Sequence, residues 1–278
     1  PVQVHWMGST QSVGADYIPL LLTDAVASPP ETATFYSERL VHLPQHFFPA
    51  SHRHSEPPAE ASTWLERDAV SAVLPPPTGG VCVFAILNDA SKVTPSVAKT
   101  WMTILGGAPA SAVLWTSLNT NCSAAILRPS RAPHLSKRVK AHRFEDHADF
   151  RRAYRRADVF LDTPNYCGQN TALLGIWLGV AMLTVPGELQ KQRALASMLV
   201  THGAPQTITR TLDEYRAVAL QLAHRPSMLL AHRKRMQQIN ANSALFDMPR
   251  YVAGLERALT TMWDLHMNDA TSSFRHHL

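Results

Sequence analysis

Residues Ala157 to Glu188 read ADVFLDTPNYCGQNTALLGIWLGVAMLTVPGE, and this stretch decides the fold. Ala157 to Leu161 is a short apolar run halted by Asp162-Thr163-Pro164, since proline has no amide to give a sheet. A small polar loop, Asn165 to Gln169, leads to Asn170 or Thr171, either of which caps a helix running to Trp177 or Leu178. Gly179 stands where a helix end takes the left-handed conformation. Val180 to Val185 is a continuous apolar run, the pattern of a parallel strand covered on both faces. A loop that enters a helix at the carboxyl end of a strand is where phosphates bind in open α/β sheets. The segment therefore predicts a nucleotide-diphosphate site.

From Thr171 to Gly187 there is no charge, so a membrane span competes with this reading. A span needs about 20 apolar residues. This run is shorter, is split by Gly179 and closes on the turn signal Pro186-Gly187. The 278 residues, 45% hydrophobic and 17% charged, have the composition of a soluble globular protein with room for one large or two modest domains. The first residues lack the basic and apolar regions of a signal peptide, and the opening Pro1 reads as the tail of a longer polypeptide. Cys82, Cys122 and Cys167 are widely spaced and odd in number, which fits reduced thiols in the cytoplasm or nucleus. There is no CxxC pair for a thiolate zinc site, and His52 and His54 around Arg53 read as a solvated loop, so no metal is expected. The net charge of +5 comes partly from Arg151-Arg152-Ala153-Tyr154-Arg155-Arg156. A solvated basic helix face accounts for that run better than a nucleic-acid patch, which would need a zinc-finger, RRM or KH signature beside it.

Residues 1–50 read as one unit: apolar Val2 to Met7, a polar loop from Gly8 to Gly14, then apolar Ile18 to Leu22. Ser28-Pro29-Pro30-Glu31 opens a short helix through Tyr36 and Leu40, with Ser28 as cap and Glu31 placed as in a capping box. Residues 51–80 are rich in Pro, Ser, Ala and Glu and read as a linker. From Val81 strands and helices alternate. Strands are expected at Val81 to Leu87, Ala112 to Leu118 and Arg138 to Phe144. Thr94-Pro95 starts a helix with Val97, Trp101, Ile104 and Leu105 on one face, and Thr211 to Glu214 is a capping box for another. A last helix is expected near Pro249 to Leu265. Repeated strand–helix units imply a doubly wound parallel sheet.

Several pieces in this order resemble the catalytic region of protein O-GlcNAc transferases and their SPINDLY-type relatives, over roughly residues 2–48 and 82–266. They are WMG at Trp6 to Gly8, GADYI at Gly14 to Ile18 and SPPETATFYSERLVHLPQHFF at Ser28 to Phe48. Asn88 with Lys92, ADVFLDTP at Ala157 to Pro164, Trp177 to Gly179, Pro186 to Glu188 and Arg193 follow. The resemblance implies a GT-B glycosyltransferase, with its active site between two Rossmann-like lobes. Residues 1–50 would end the acceptor-side lobe, and 81–278 would form the nucleotide-sugar lobe, its final helix packing back towards the first. The family transfers a sugar from a nucleotide diphosphate to Ser or Thr of intracellular proteins, with no cofactor required. The rest of the first lobe and the helical repeats that select protein acceptors are not in this sequence. Carried over, Lys92 is the catalytic cation that stabilises the departing diphosphate of a UDP-sugar. Asn88, Asp89, Gln169, Asn170 and Thr171 line the donor, and Gly8 and Gly14 line its sugar side.

The departures are equally specific. The family's His-Thr-Thr at the phosphate loop is Gln169-Asn170-Thr171 here, and its ribose-binding Asp one turn later is Leu174. The glutamine after the asparagine is Asp89, a carboxylate that would repel a phosphate by about 4 kcal/mol at 4 Å and an effective dielectric of 20 unless Lys92 pairs with it. The His and Arg of the preceding helix align with Phe150 and Ala153, and Arg152, or its neighbour Arg151, replaces that arginine after a one-turn adjustment. Two functions from different classes follow: a UDP-GlcNAc-dependent protein glycosyltransferase, with GDP-fucose as the alternative donor, or an inactive donor lobe serving as a binding or scaffold module.

Overall fold

The structure is a computed structural model that describes residues 2–55, 82–117, 126, 133–144 and 146–269. Most of the expected linker lies outside the described residues. The apolar runs form two parallel sheets. The first joins β1 (Val4–His5), β2 (Leu20–Asp24) and β3 (Arg39–Leu43) in that order. The second contains β4 (Val83–Ile86), β5 (Val113–Ser117), β6 (Val139–His142), β7 (Val159–Leu161) and β8 (Ala181–Leu183) in the order β6-β5-β4-β7-β8, all parallel. Strands run off to one side of β4 and return on the other through β7. This is the doubly wound sheet expected from the sequence, and its order reverses between β4 and β7.

Seven helices of eight residues or more are described: α1 (Pro95–Gly107), α2 (His147–Tyr154), α3 (Asn170–Trp177), α4 (Gln190–His202), α5 (Leu212–His224), α6 (Pro226–Asn240) and α7 (Met248–Asp269). Every residue of β4, β5, β7 and β8 is buried, because helices cover both faces of the second sheet. The pleat sorts them. Val83 and Ala85 join Trp115, Phe160, Leu173, Trp177 and Phe246 on one face, while Phe84 and Ile86 join Trp101, Ile104, Leu114 and Tyr215 on the other. A buried ion pair fixes the central strands. Asp158 accepts from the Val83 amide at 2.9 Å and from Arg233 of α6 at 2.5 Å.

Local signals explain most helix boundaries. Thr94 caps α1 by accepting from the Val97 amide, and Gly179 takes φ 71° after α3. At α5, Thr211 accepts from the Glu214 amide at 3.1 Å, but Glu214 reaches back to the Arg210 amide rather than to that of Thr211. Two expectations are corrected. Ser28 caps nothing: its hydroxyl bonds Thr23 at 2.8 Å, and Pro30–Phe35 is a 3-10 turn ending well before Leu40, which belongs to β3. The cap of α3 is Gln169, whose side chain bonds elsewhere, rather than Asn170 or Thr171.

The two sheets are joined across α4. Gln190 donates to Thr23 at 3.0 Å, and Arg193 donates to Val26 O and to Gly187 O, each at 2.7 Å. Ser197 donates to Asp24 at 2.8 Å and lies 2.8 Å from His46 Nδ1. Burial opposes the charge on Asp24, yet His46, the Ala27 amide and Ser197 together hold its carboxyl below the usual range. Helix α7 packs on the first sheet, with Tyr251 and Met262 against Leu20, Leu22 and Leu43. Among the described residues no helix is long and apolar enough to cross a membrane.

Candidate functional site

At the reversal point the carboxyl ends of β4 and β7 lie side by side, and ligands of open α/β sheets bind in that crevice. From β4 the chain continues through Asn88 and Asp89 into a 3-10 turn, Ala90–Lys92. From β7 it continues through Asp162 to Gly168 and into α3 at Asn170. The first N–H groups of a helix have no partner within it, so this junction presents donors and a positive dipole end.

Buried groups lock the two loops together. Asn88, 3% exposed, donates to Thr163 Oγ1 at 2.7 Å, and Thr163 donates onward to Tyr166 O at 2.7 Å. Asp162 is fully buried and accepts from the Gly168 amide at 2.9 Å and from Thr184 at 2.8 Å. Burial raises its pKa, and the hydrogen bonds from Gly168, Cys167 and Thr184 only partly offset that rise. The same burial, with Asp162 alongside, pushes the Cys167 thiol up. The approach at Gly168 is close: a Cβ there would lie 3.1 Å from Asn88 Oδ1, so Asn88 would have to shift by a few tenths of an ångström to admit one.

Lys92 crosses from the β4 loop to the β7 loop. Its ammonium donates to Cys167 O at 3.3 Å and sits 4.2 Å from the centre of the Tyr166 ring. It does not pair with Asp89. The Asp89 carboxylate accepts from the Ser91 amide at 2.8 Å, and that bond is the main cause of its lowered pKa. The lysine is therefore held beside the loop that enters α3 by a carbonyl and a ring face, and both are weaker partners than a carboxylate.

The first sheet contributes the loop 8–14. Gln169 Nε2 donates to Thr10 Oγ1 at 3.1 Å, which brings this loop to the head of α3. Gly14 takes φ 68°, a conformation that suits glycine. Gly8 does not need one: the left-handed residue of this turn is Met7, at φ 65°. Glu38 anchors the loop, accepting from the Val13 amide at 2.5 Å and from Ser12 at 2.7 Å. Those bonds outweigh burial and lower its pKa.

Lys92, Asn88, Asp89, Gln169, Asn170 and Thr171 thus gather on the two loops of one crevice, with Asn88 serving as a buried strut. Thr171 is half-buried in the first turn of α3, and Asn170 is exposed. The Arg152 and Ala153 side chains lie outside the described residues. Phe150 packs in the core against Phe144 and Tyr154, and Leu174 is 4% exposed in the same core, so neither offers a polar group to the crevice. Asp162, Glu38 and Thr10 are absent from the residues singled out in the sequence. Only the halt of the β7 run marked Asp162, and nothing local marked the other two. Among the described residues no group of three or more His, Cys, Asp and Glu gathers as a metal site.

The sequence model of glycosyl transferase family 41 matches residues 1–68 and 74–255. The Arabidopsis thaliana protein SEC, named as a probable UDP-N-acetylglucosamine–peptide N-acetylglucosaminyltransferase, is 31% identical over 96% of this chain and 27% of its own length. The Petunia hybrida SPINDLY protein, named likewise, is 28% identical over 99% of this chain and 29% of its own length. A solved structure of a mutant Thermobaculum terrenum O-GlcNAc transferase superposes with a TM-score of 0.79 at 27% identity, over 95% of this chain and 48% of that one. The fold is therefore of the GT-B type expected from the sequence, and the chain spans under a third of these curated relatives' length.

Proposed function

The chain belongs to glycosyl transferase family 41, and on that premise we propose that it carries the nucleotide-sugar lobe of a protein O-GlcNAc transferase. The donor is UDP-GlcNAc and the acceptors are Ser and Thr hydroxyls of cytoplasmic or nuclear proteins. The remaining part of the first lobe and the acceptor-selecting helical repeats come from sequence outside this chain. The reaction is an inverting displacement at the sugar carbon by the acceptor hydroxyl, with the nucleotide diphosphate as leaving group.

The observation that carries this reading is the position of Lys92. It bridges the two loops of the crevice at Cys167 O, just ahead of the residues that open α3. An ammonium there acts as a point charge on the diphosphate, where negative charge grows as the glycosidic bond breaks. The α3 amides and the Thr171 hydroxyl supply fixed donors on the other side of the same group. Asn88, Thr163 and Asp162 hold in place the two loops that Lys92 bridges. The Asp89 carboxylate is turned to its own 3-10 turn, which leaves the lysine available.

Burial of Leu174 and the packing of half-buried Phe150 against the core favour a second reading, a lobe that binds nucleotide without turnover, because those two side chains give no hydrogen bond to ribose or base. Titration calorimetry of the chain with UDP and with GDP, beside Lys92→Ala, tests the proposal. Micromolar UDP binding that weakens at least tenfold in the variant supports it. A preference for GDP moves the donor to GDP-fucose, and absence of binding by the folded chain refutes an autonomous donor lobe.

A further inference from the structure

Loop 8–14 is fastened at both ends, to α7 and to the turn ahead of β3. At its root Trp6 donates its indole N–H to Tyr251 Oη at 3.1 Å, and Glu38 holds Ser12 and Val13. Between these anchors Thr10 is 3% exposed, and its hydroxyl accepts from Gln169 of the opposite lobe. The partners lie 159 residues apart in the chain, and Gln169 is the residue that caps α3. We propose that Gln169 is a positioning residue: its carboxamide fastens loop 8–14 over the start of α3 and thereby shapes the sugar end of the donor site. This rests on the donor-lobe reading above.

A carboxamide can serve both sides at once. It carries two N–H donors and a carbonyl oxygen, and Thr10 takes one donor, leaving a donor and an acceptor for a bound ligand. The bridge therefore does not compete with a diphosphate at the helix start. The diphosphate meets Lys92 and the α3 amides, whereas the sugar beyond it meets the loop. Loss of the bridge then weakens recognition of the sugar-bearing donor and leaves the bare nucleotide nearly untouched.

The test compares Thr10→Val, Thr10→Ser and the unaltered chain, using titration with UDP and UDP-GlcNAc and amide hydrogen exchange of residues 8–14. Thr10→Val should speed exchange in the loop and weaken UDP-GlcNAc about fivefold, the worth of one ordinary hydrogen bond, with UDP changed less than about twofold. Thr10→Ser should restore both. Unchanged exchange in Thr10→Val, or tighter UDP-GlcNAc binding, overturns the bridge. If the unaltered chain binds neither compound, the donor reading fails, and the exchange arm still decides whether Gln169 holds the loop.

Discussion

Asp162 gives the sharpest prediction, because one buried side chain supports both loops of the crevice. Asp162→Ala removes the acceptor for the Gly168 amide and the Thr184 hydroxyl, both within fully packed surroundings. Each buried donor left without a partner costs about 1–3 kcal/mol, so the variant should lose about 2–6 kcal/mol of stability. Gly168 then loses its anchor, next in the chain to Cys167, whose carbonyl oxygen seats Lys92. UDP binding should fall with stability. Asp162→Asn keeps one acceptor for the Gly168 amide and removes a charge whose burial is unfavourable, so it should cost less than about 1 kcal/mol. The pH dependence has a definite sign. A carboxyl whose pKa is raised by folding contributes stability below its unfolded value near 3.8, and that contribution is lost as pH rises through the folded value. The cost of Asn relative to Asp should therefore shrink from pH 4 towards neutrality. Urea unfolding of the three proteins at pH 4.5 and 7.5 measures this. An Ala variant within 1 kcal/mol of the unaltered chain, or an Asn variant as damaged as Ala, refutes the assignment of Asp162 as the loop anchor.

Other residues lead to further measurable outcomes. His202 is 1% exposed, and burial lowers its pKa from 6.5 to about 4. Between those values the unfolded chain binds a proton that the folded chain refuses, so stability should drop as pH falls from 6.5 to 4, by about 3 kcal/mol from this residue. Denaturation midpoints across that range check it, and a flat profile would contradict it. A Cβ at Gly187 would lie 2.5 Å from Gln192 Oε1, which accepts from the amides of Glu188 and Leu189. Gly187→Ala should cost about 1–3 kcal/mol, and pairing it with Gln192→Ala should recover part of that in a double-mutant cycle. Arg193→Ala removes two hydrogen bonds, one to each side of the seam between the sheets. Limited proteolysis should then cut between residues 24 and 30 faster, and an unchanged cleavage pattern would count against Arg193 as a clamp.

What the sequence disclosed follows from the range of each interaction. Periodic burial is local, so the runs around Val83, Val113, Val159 and Ala181 gave the strands and the parallel sheet. Caps at Thr94 and Thr211 and the turn at Gly179 are local as well. The head of α3 was misplaced because Gln169 forms its side-chain bond with a loop far away in the chain, and no rule of helix capping contains that partner. Ser28 departs from its expected role for a local reason: its hydroxyl bonds Thr23, five residues earlier, rather than an amide of the turn that follows. The Pro186-Gly187-Glu188 and Arg193 pieces were visible as matches, but their work at the seam between the two sheets depends on Val26 and Gln192 and emerges only in three dimensions. A Lys92–Asp89 pair, the condition under which Asp89 would not repel a phosphate, is not formed; the carboxylate accepts from the Ser91 amide instead.

In the proposed donor site a nucleotide diphosphate sits between Lys92 and the first turn of α3. A crystal structure of the chain grown with UDP tests it most directly. The claim predicts the diphosphate at the Asn170–Thr171 amides, with Lys92 Nζ turned from Cys167 O to within about 3 Å of a phosphate oxygen. UDP bound anywhere else on the molecule, with Lys92 still on Cys167 O, would contradict it.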